Sequence, residues 1–142
     1  MHFLELYLDI IIFSILGFMG FIAIWFTIER LVFFSRVNFG DFKTADMLEE
    51  SLTKNMTALY IIYSNAPYIG LLGTVGGIII TFYGMSQGSD IDAKRIMRDL
   101  SLALQATGVG LCVAIPVLMI YNALLRKIEI ISNRYKAMKN EN

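Results

Sequence analysis

The chain has 142 residues, of which 56% are hydrophobic and only 17% charged, with a mean hydropathy of +0.62. Soluble domains are about 45–50% apolar and about 25% charged, so this composition leans towards lipid. Twelve basic residues balance twelve acidic ones, which excludes a polybasic nucleic-acid binder, while a single Cys112 and a single His2 exclude a disulfide framework and a Cys/His metal cluster.

Three stretches carry no charge: Ile10–Ile28, Asn55–Ser89 and Leu100–Leu125. As helices they would run roughly 28, 52 and 39 Å, against a hydrocarbon core of about 30 Å. The expected architecture is therefore all-α, with three transmembrane helices at about 10–28, 60–85 and 100–125 in one membrane domain spanning 1–142. The surplus turns of the second and third spans are expected to project beyond the bilayer as helix.

The leader MHFLELYLD is acidic and the apolar run after it ends in bulky residues, which fits a retained span rather than a cleaved signal peptide. Trp25, Phe26, Phe33 and Phe34 suit an interfacial aromatic belt, and Glu29 and Arg30 at the same border are expected to pair with each other or with headgroups. A short cytoplasmic segment follows over 29–57. Within it Met47, Leu48, Leu52 and Leu59 fall to one side and Glu49, Glu50 and Lys54 to the other, predicting a helix over Asp46–Leu59 that merges into span two. Gly84–Ile91 reads as a turn, Asp92–Leu100 as a short amphipathic helix leading into span three, and the tail 126–142 as a continuation carrying Ile128, Ile130, Ile131 and Tyr135 among charges. The connecting segments place nine Lys/Arg on one side and three on the other, so the N-terminus is expected outside and the C-terminus inside.

Span two carries Ala66, Gly70, Gly73, Thr74, Gly77, Thr81 and Gly84 at steps of three and four, a single stripe of small residues. Span three repeats the pattern with Ala103, Ala106, Thr107, Gly110 and Ala114. Such stripes let helix backbones approach closely in lipid, so these two spans are expected to form the inner layer, with Gly70, Gly73, Gly77, Gly110 and Ala114 as packing positions. Span one has only Gly17 and Gly20 and reads as the lipid-facing helix. Thr74 and Thr107 have two open readings: a hydroxyl bonded back to its own helix, or one lining a wet path.

The run Ala66-Pro67-Tyr68-Ile69-Gly70-Leu71-Leu72-Gly73-Thr74-Val75-Gly76-Gly77-Ile78 resembles the second-span motif of the MotA/TolQ/ExbB proton-channel family. The run from Ala103 to Pro116, continued by Tyr121-Asn122, resembles its third-span motif. The likeness covers most of 58–122 and is nearest the ExbB branch, with TolQ next. It implies a homopentamer of long helices in the bacterial inner membrane around a pore. A dimer of a single-span ExbD- or TolR-like partner with an essential Asp would sit in that pore, and proton flow would drive TonB- or TolA-linked work. It also implies that Thr74 and Thr107 are pore-facing, proton-pathway threonines, and that Pro67 and Pro116 are kink positions towards the cytoplasmic ends of their spans.

Two departures from the family pattern stand out. Where many members carry an acidic residue five positions before the third-span threonine, this chain has Leu102, and its segment between spans one and two is unusually short. A potassium-filter reading of Gly73-Thr74-Val75-Gly76-Gly77 lacks the aromatic residue, and the apolar run continues far enough to finish a crossing. A non-conducting scaffold and a Tol-linked motor remain alternatives. There is no nucleophile–base pair, metal set or phosphate loop to suggest an enzyme, and no cofactor is expected. Cys112 and the methionines Met47, Met56, Met85, Met97 and Met119 read as packing.

Overall fold

A computed structural model describes residues 2–88 and 92–140. Helix α1 runs over His2–Arg36, a 3-10 turn over Phe39–Asp41, α2 over Ala45–Leu52, α3 over Met56–Gln87 and α4 over Ala93–Asn140. Three of these, α1, α3 and α4, are long and apolar enough to cross a membrane. The chain is thus an all-helical, multi-pass membrane protein.

The inner pair is α3 and α4, joined along their small-residue stripes. Ala66, Gly70, Gly73, Thr74, Gly77 and Thr81 are buried on α3, and Ala103, Ala106, Gly110 and Ala114 on α4. The approach is so close that a Cβ at Gly70 would lie 2.5 Å from the Ala106 carbonyl oxygen, and one at Gly110 would lie 2.6 Å from that of Ala66. Only hydrogen fits at these two crossing points. Helix α1 packs over the same seam: a Cβ at Gly76 would meet Leu8 at 2.6 Å, and one at Gly73 would meet Ile12 at 3.1 Å. Its opposite face presents Phe18, Phe21, Ile24 and Trp25, all exposed, as a lipid-facing helix requires.

A second core lies where α2 sits, built from Phe34, Leu48, Leu52, Met56, Leu59, Leu124, Ile128, Ile131 and Tyr135. Phe34 is only 5% exposed, so it belongs to this core and not to an aromatic belt; Trp25 does face outward. In the tail, Ile128, Ile131 and Tyr135 pack inward while Ile130 is exposed. The Tyr135 hydroxyl donates to the Phe42 carbonyl at 2.9 Å, fastening the α1–α2 connection to α4.

Local signals explain two boundaries that the hydrophobic pattern misplaces. The helix over Asp46–Leu59 is broken: α2 starts at Thr44, whose hydroxyl accepts from the Met47 N–H, and ends at Leu52. After Thr53 the chain turns through Asn55 at φ 68°, a left-handed conformation that Asn tolerates better than most residues, and α3 begins at Met56. At its other end α3 continues as helix through Gln87 instead of turning at Gly84, and is closed by Gly88. The remainder of the expected turn, 89–91, lies outside the described residues. Asp92 then precedes α4, whose helix runs unbroken past Leu100.

Candidate functional site: a hydroxyl clasp between two membrane helices

Close approach of α3 and α4 brings together two threonines that lie 33 positions apart in the sequence. The Thr74 hydroxyl donates across the seam to the Ala103 carbonyl at 2.7 Å, and the Thr107 hydroxyl is hydrogen-bonded to it. The back-bond that Thr74 makes to Gly70 on its own helix is longer, at 3.4 Å. The interhelical partner therefore dominates over the local one that threonines in membrane helices usually take. Each hydroxyl carries one proton. With the Thr74 proton on the Ala103 carbonyl, the Thr107 proton is donated to Thr74, giving a directed chain from Thr107 through Thr74 to the α4 backbone. Thr74 is 7% exposed and closes the inner end of this chain, while half-buried Thr107 forms its accessible end.

The other residues singled out from sequence fall around this clasp. Gly70, Gly73, Gly77, Gly110 and Ala114 line the α3–α4 seam, and it is their lack of bulk that lets the hydroxyls meet. Pro67 and Pro116 lie inside α3 and α4, which both continue past them. Each proline removes one backbone donor, so the carbonyls of Tyr63 and Cys112 lose their usual i+4 partners. Leu102 is 42% exposed and points away from the seam, next to buried Ala103.

Two polar features lie beyond the clasp: a contact at Thr81 that the sequence pattern does not show, and the Glu29–Arg30 pair, expected from the sequence and present. The Thr81 hydroxyl, seven residues beyond Thr74 on the same stripe, lies 3.0 Å from the Glu5 carboxylate of α1. Glu5 sits outside the first uncharged run, and its neighbours Phe3, Leu4, Leu6 and Tyr7 are exposed large apolar groups. The second is Arg30, only 1% exposed. It pairs with Glu29 through two 2.6 Å contacts and donates to the Ser51 and Leu52 carbonyls at 2.6 and 3.1 Å. Glu29 in turn accepts from the Asn55 side chain at 3.0 Å, and the Arg30 guanidinium stacks over Phe33. A planar fork that satisfies a carboxylate and a helix's last carbonyls together is a task for Arg. The sequence announces the pairing with Glu29 but not the bonds to the α2 carbonyls.

A bundle of three helices long and apolar enough to cross a membrane, joined by buried polar contacts, defines an integral membrane protein. The family model for the MotA/TolQ/ExbB proton channel family matches residues 42–137. The chain is 51% identical over 139 residues to the biopolymer transport protein ExbB of Helicobacter pylori, covering 98% of this chain and 96% of that relative. It is 43% identical to the ExbB of Aquifex aeolicus over 84% of this chain and 83% of the relative. The Tol-Pal system protein TolQ of Pseudomonas aeruginosa is 33% identical over 66% of this chain and 40% of its own length. The chain belongs to the MotA/TolQ/ExbB proton channel family, and is a transport protein rather than an enzyme.

Proposed function

We propose that this chain is the proton-channel subunit of an inner-membrane complex of the ExbB–ExbD type, which uses the proton gradient to energise TonB-dependent transport across the outer membrane. The Thr107–Thr74–Ala103 hydrogen-bond chain carries this reading. A hydroxyl pair with one committed and one reorientable proton offers a donor or acceptor to a carboxyl group arriving beside α4, without placing a fixed charge in lipid. In the proposed assembly five copies surround a single-span partner whose Asp approaches the Thr107 end of the clasp. The nine-to-three bias of basic residues supports an N-terminus outside and the long end of α4 in the cytoplasm. Near end-to-end likeness to ExbB-named relatives, against partial likeness to TolQ, favours TonB-linked over Tol-linked output.

Deleting the chain from its host should abolish gradient-dependent uptake through outer-membrane receptors, and the wild-type chain should restore it. Uptake that persists undiminished after deletion, and still collapses when the gradient is dissipated, overturns the proposal.

A further inference from the structure

We propose that the corner of the bundle built around α2 is a head-to-tail contact between copies of this chain, in which the lysine-lined hollow of one copy (Lys43, Lys136 and Lys139) meets the acid-lined hollow of the next (Asp41 and Glu50). The proposal deepens the multi-copy reading above and rests on it, but it concerns charges that the threonine clasp does not use.

Two hollows flank α2, and their charges differ in sign. One, of about 350 Å³, is lined by Lys43, Lys136 and Lys139 together with Ala45 and Asn140. The other, of about 560 Å³, is lined by Asp41 and Glu50 around Phe42 and Met47, with Lys54 at the end next to Asn55. The helix itself separates them. Leu48 and Leu52 are its buried stripe, and at about 100° per residue Ala45 falls on one flank of that stripe while Met47 and Ser51 fall on the other. Lys139 is held at the basic hollow: its Nζ lies 5.5 Å from the Tyr135 ring centroid and donates to the Lys43 carbonyl at 3.4 Å. Both hollows reach the same height along the bundle, because the bond from the Tyr135 hydroxyl to the Phe42 carbonyl sets Asp41, Phe42 and Lys43 level with Tyr135.

The charges of both hollows are free to meet a neighbour. Asp41, Lys43, Glu50, Lys136 and Lys139 are all exposed, and among the described residues the ion pairs are Glu29–Arg30 and Arg126–Glu129, so none of the five is paired within its own chain. A basic hollow alone would suit any anion, and an acidic one any cation. Opposite charges on opposite flanks of one helix, at one height, suit a second copy. A ring closed by rotation about an axis along the bundle moves each copy sideways without raising it, so a group meets only groups at its own level in the next copy. Asp41 meets that condition for Lys136 and Lys139. A twofold contact centred on either hollow would instead set like charges together. Met47, 48% exposed, and half-buried Phe42 give the acidic hollow an apolar floor that the neighbour would cover. Exposed ion pairs add little stability singly, so these charges decide which flank meets which while the membrane helices supply most of the association.

Cross-linking between two differently tagged chains tests the pairing while leaving every charge in place. In a Cys112→Ser background, one chain carries Met47→Cys in the acidic hollow and the other Asn140→Cys at the basic one. Co-expressed in membranes of the host and oxidised mildly, the two should give a disulfide-linked dimer holding both tags, and neither chain expressed alone should link to itself. Adding Lys136→Glu and Lys139→Glu to the Asn140→Cys chain should lower the mixed yield roughly tenfold, because acids then face acids. Adding Asp41→Lys and Glu50→Lys to the Met47→Cys chain should bring that yield back. Self-linked dimers in place of the mixed one overturn the proposal, as does a mixed yield that the reversals leave unchanged. An acidic segment of a different protein seated in the basic hollow would leave a multimer without the mixed link, and this too overturns it. A chain that purifies only as a monomer defeats multi-copy assembly itself, whereas a multimer without the mixed link defeats the pairing alone; neither result depends on proton flux.

Discussion

Gly110→Ala tests how tightly the α3–α4 seam is built, and Gly108→Ala on the same helix is its control. At Gly110 the new Cβ would sit 2.6 Å from the Ala66 carbonyl oxygen and 3.2 Å from the Gly70 Cα. Ordinary contact begins at 3.4 Å, so the two backbones must separate locally by about 0.8 Å, the difference between 3.4 and 2.6 Å. Neither contact atom belongs to a flexible side chain that can swing away. Overpacking of this kind costs about 1–3 kcal/mol. Spreading the seam also stretches the 2.7 Å bond from Thr74 to Ala103, worth about 1 kcal/mol. The helix-propensity gain of replacing Gly returns about 0.8–1.0 kcal/mol. Gly110→Ala should therefore destabilise the bundle by about 1–3 kcal/mol. At Gly108 nothing lies within 4 Å of the added carbon, so only the propensity gain remains and stability should hold or rise. Unfolding in mixed micelles of increasing denaturing-detergent fraction, followed by circular dichroism, reads both variants. Gly17→Ala on α1, also without neighbours, guards against effects of contacts between copies. Equal stability of the Gly110 and Gly108 variants would refute the close-packed seam.

Other substitutions probe the second core and its corner. Arg30→Lys keeps the charge but cannot satisfy Glu29 and both α2 carbonyls at once; it should cost about 2 kcal/mol and speed hydrogen exchange in α2, leaving mid-α3 protected. Tyr135→Phe removes only the hydroxyl that reaches the Phe42 carbonyl, a loss of about 1 kcal/mol, and should hasten proteolytic cleavage between residues 37 and 44 while the helices stay intact. Asn55→Ala forfeits both the bond to Glu29 and a residue suited to φ 68°, so its thermal midpoint should fall below that of Asn55→Gly, which relieves the backbone; the reverse order would show that the left-handed corner carries no strain.

The three spans were legible because a helix of 18 or more residues without charge is too long and too apolar for most soluble cores, and the α3 and α4 stripes because steps of three and four leave one face without bulk. In the structure the space at Gly73, Gly76 and Gly77 is filled within one protomer by Ala103, Ala106, Ile12 and Leu8. That Thr74 and Thr107 sit on facing stripes was readable, but their mutual bond depends on the relative slide of the two helices, which periodicity does not encode. Phe34 looked like a belt residue because aromatic character at a membrane border fits both a belt and a core; only the position of α2 decides. Glu5 was missed for a different reason. A carboxylate ends an uncharged run by definition, so a search for uncharged runs excludes any acid that a neighbouring helix accommodates. The Glu29–Arg30 pair was readable from sequence, but the guanidinium's bonds to the Ser51 and Leu52 carbonyls depend on where α2 stops, a boundary invisible in the amphipathic pattern of 46–59.

Proton flux through the reconstituted complex, measured with Thr107→Ser, Thr107→Val and the double variant Thr74→Val/Thr107→Val at matched levels of assembled protein, bears most directly on the function proposed for the clasp. Valine has nearly the shape of threonine but no hydroxyl, so the directed chain from Thr107 to the Ala103 carbonyl is lost while the seam stays filled. Thr107→Ser should retain flux, Thr107→Val should reduce it sharply, and the double variant should fall to the level of vesicles without the complex. Wild-type flux through the double variant would contradict a proton-handling role for the threonine pair.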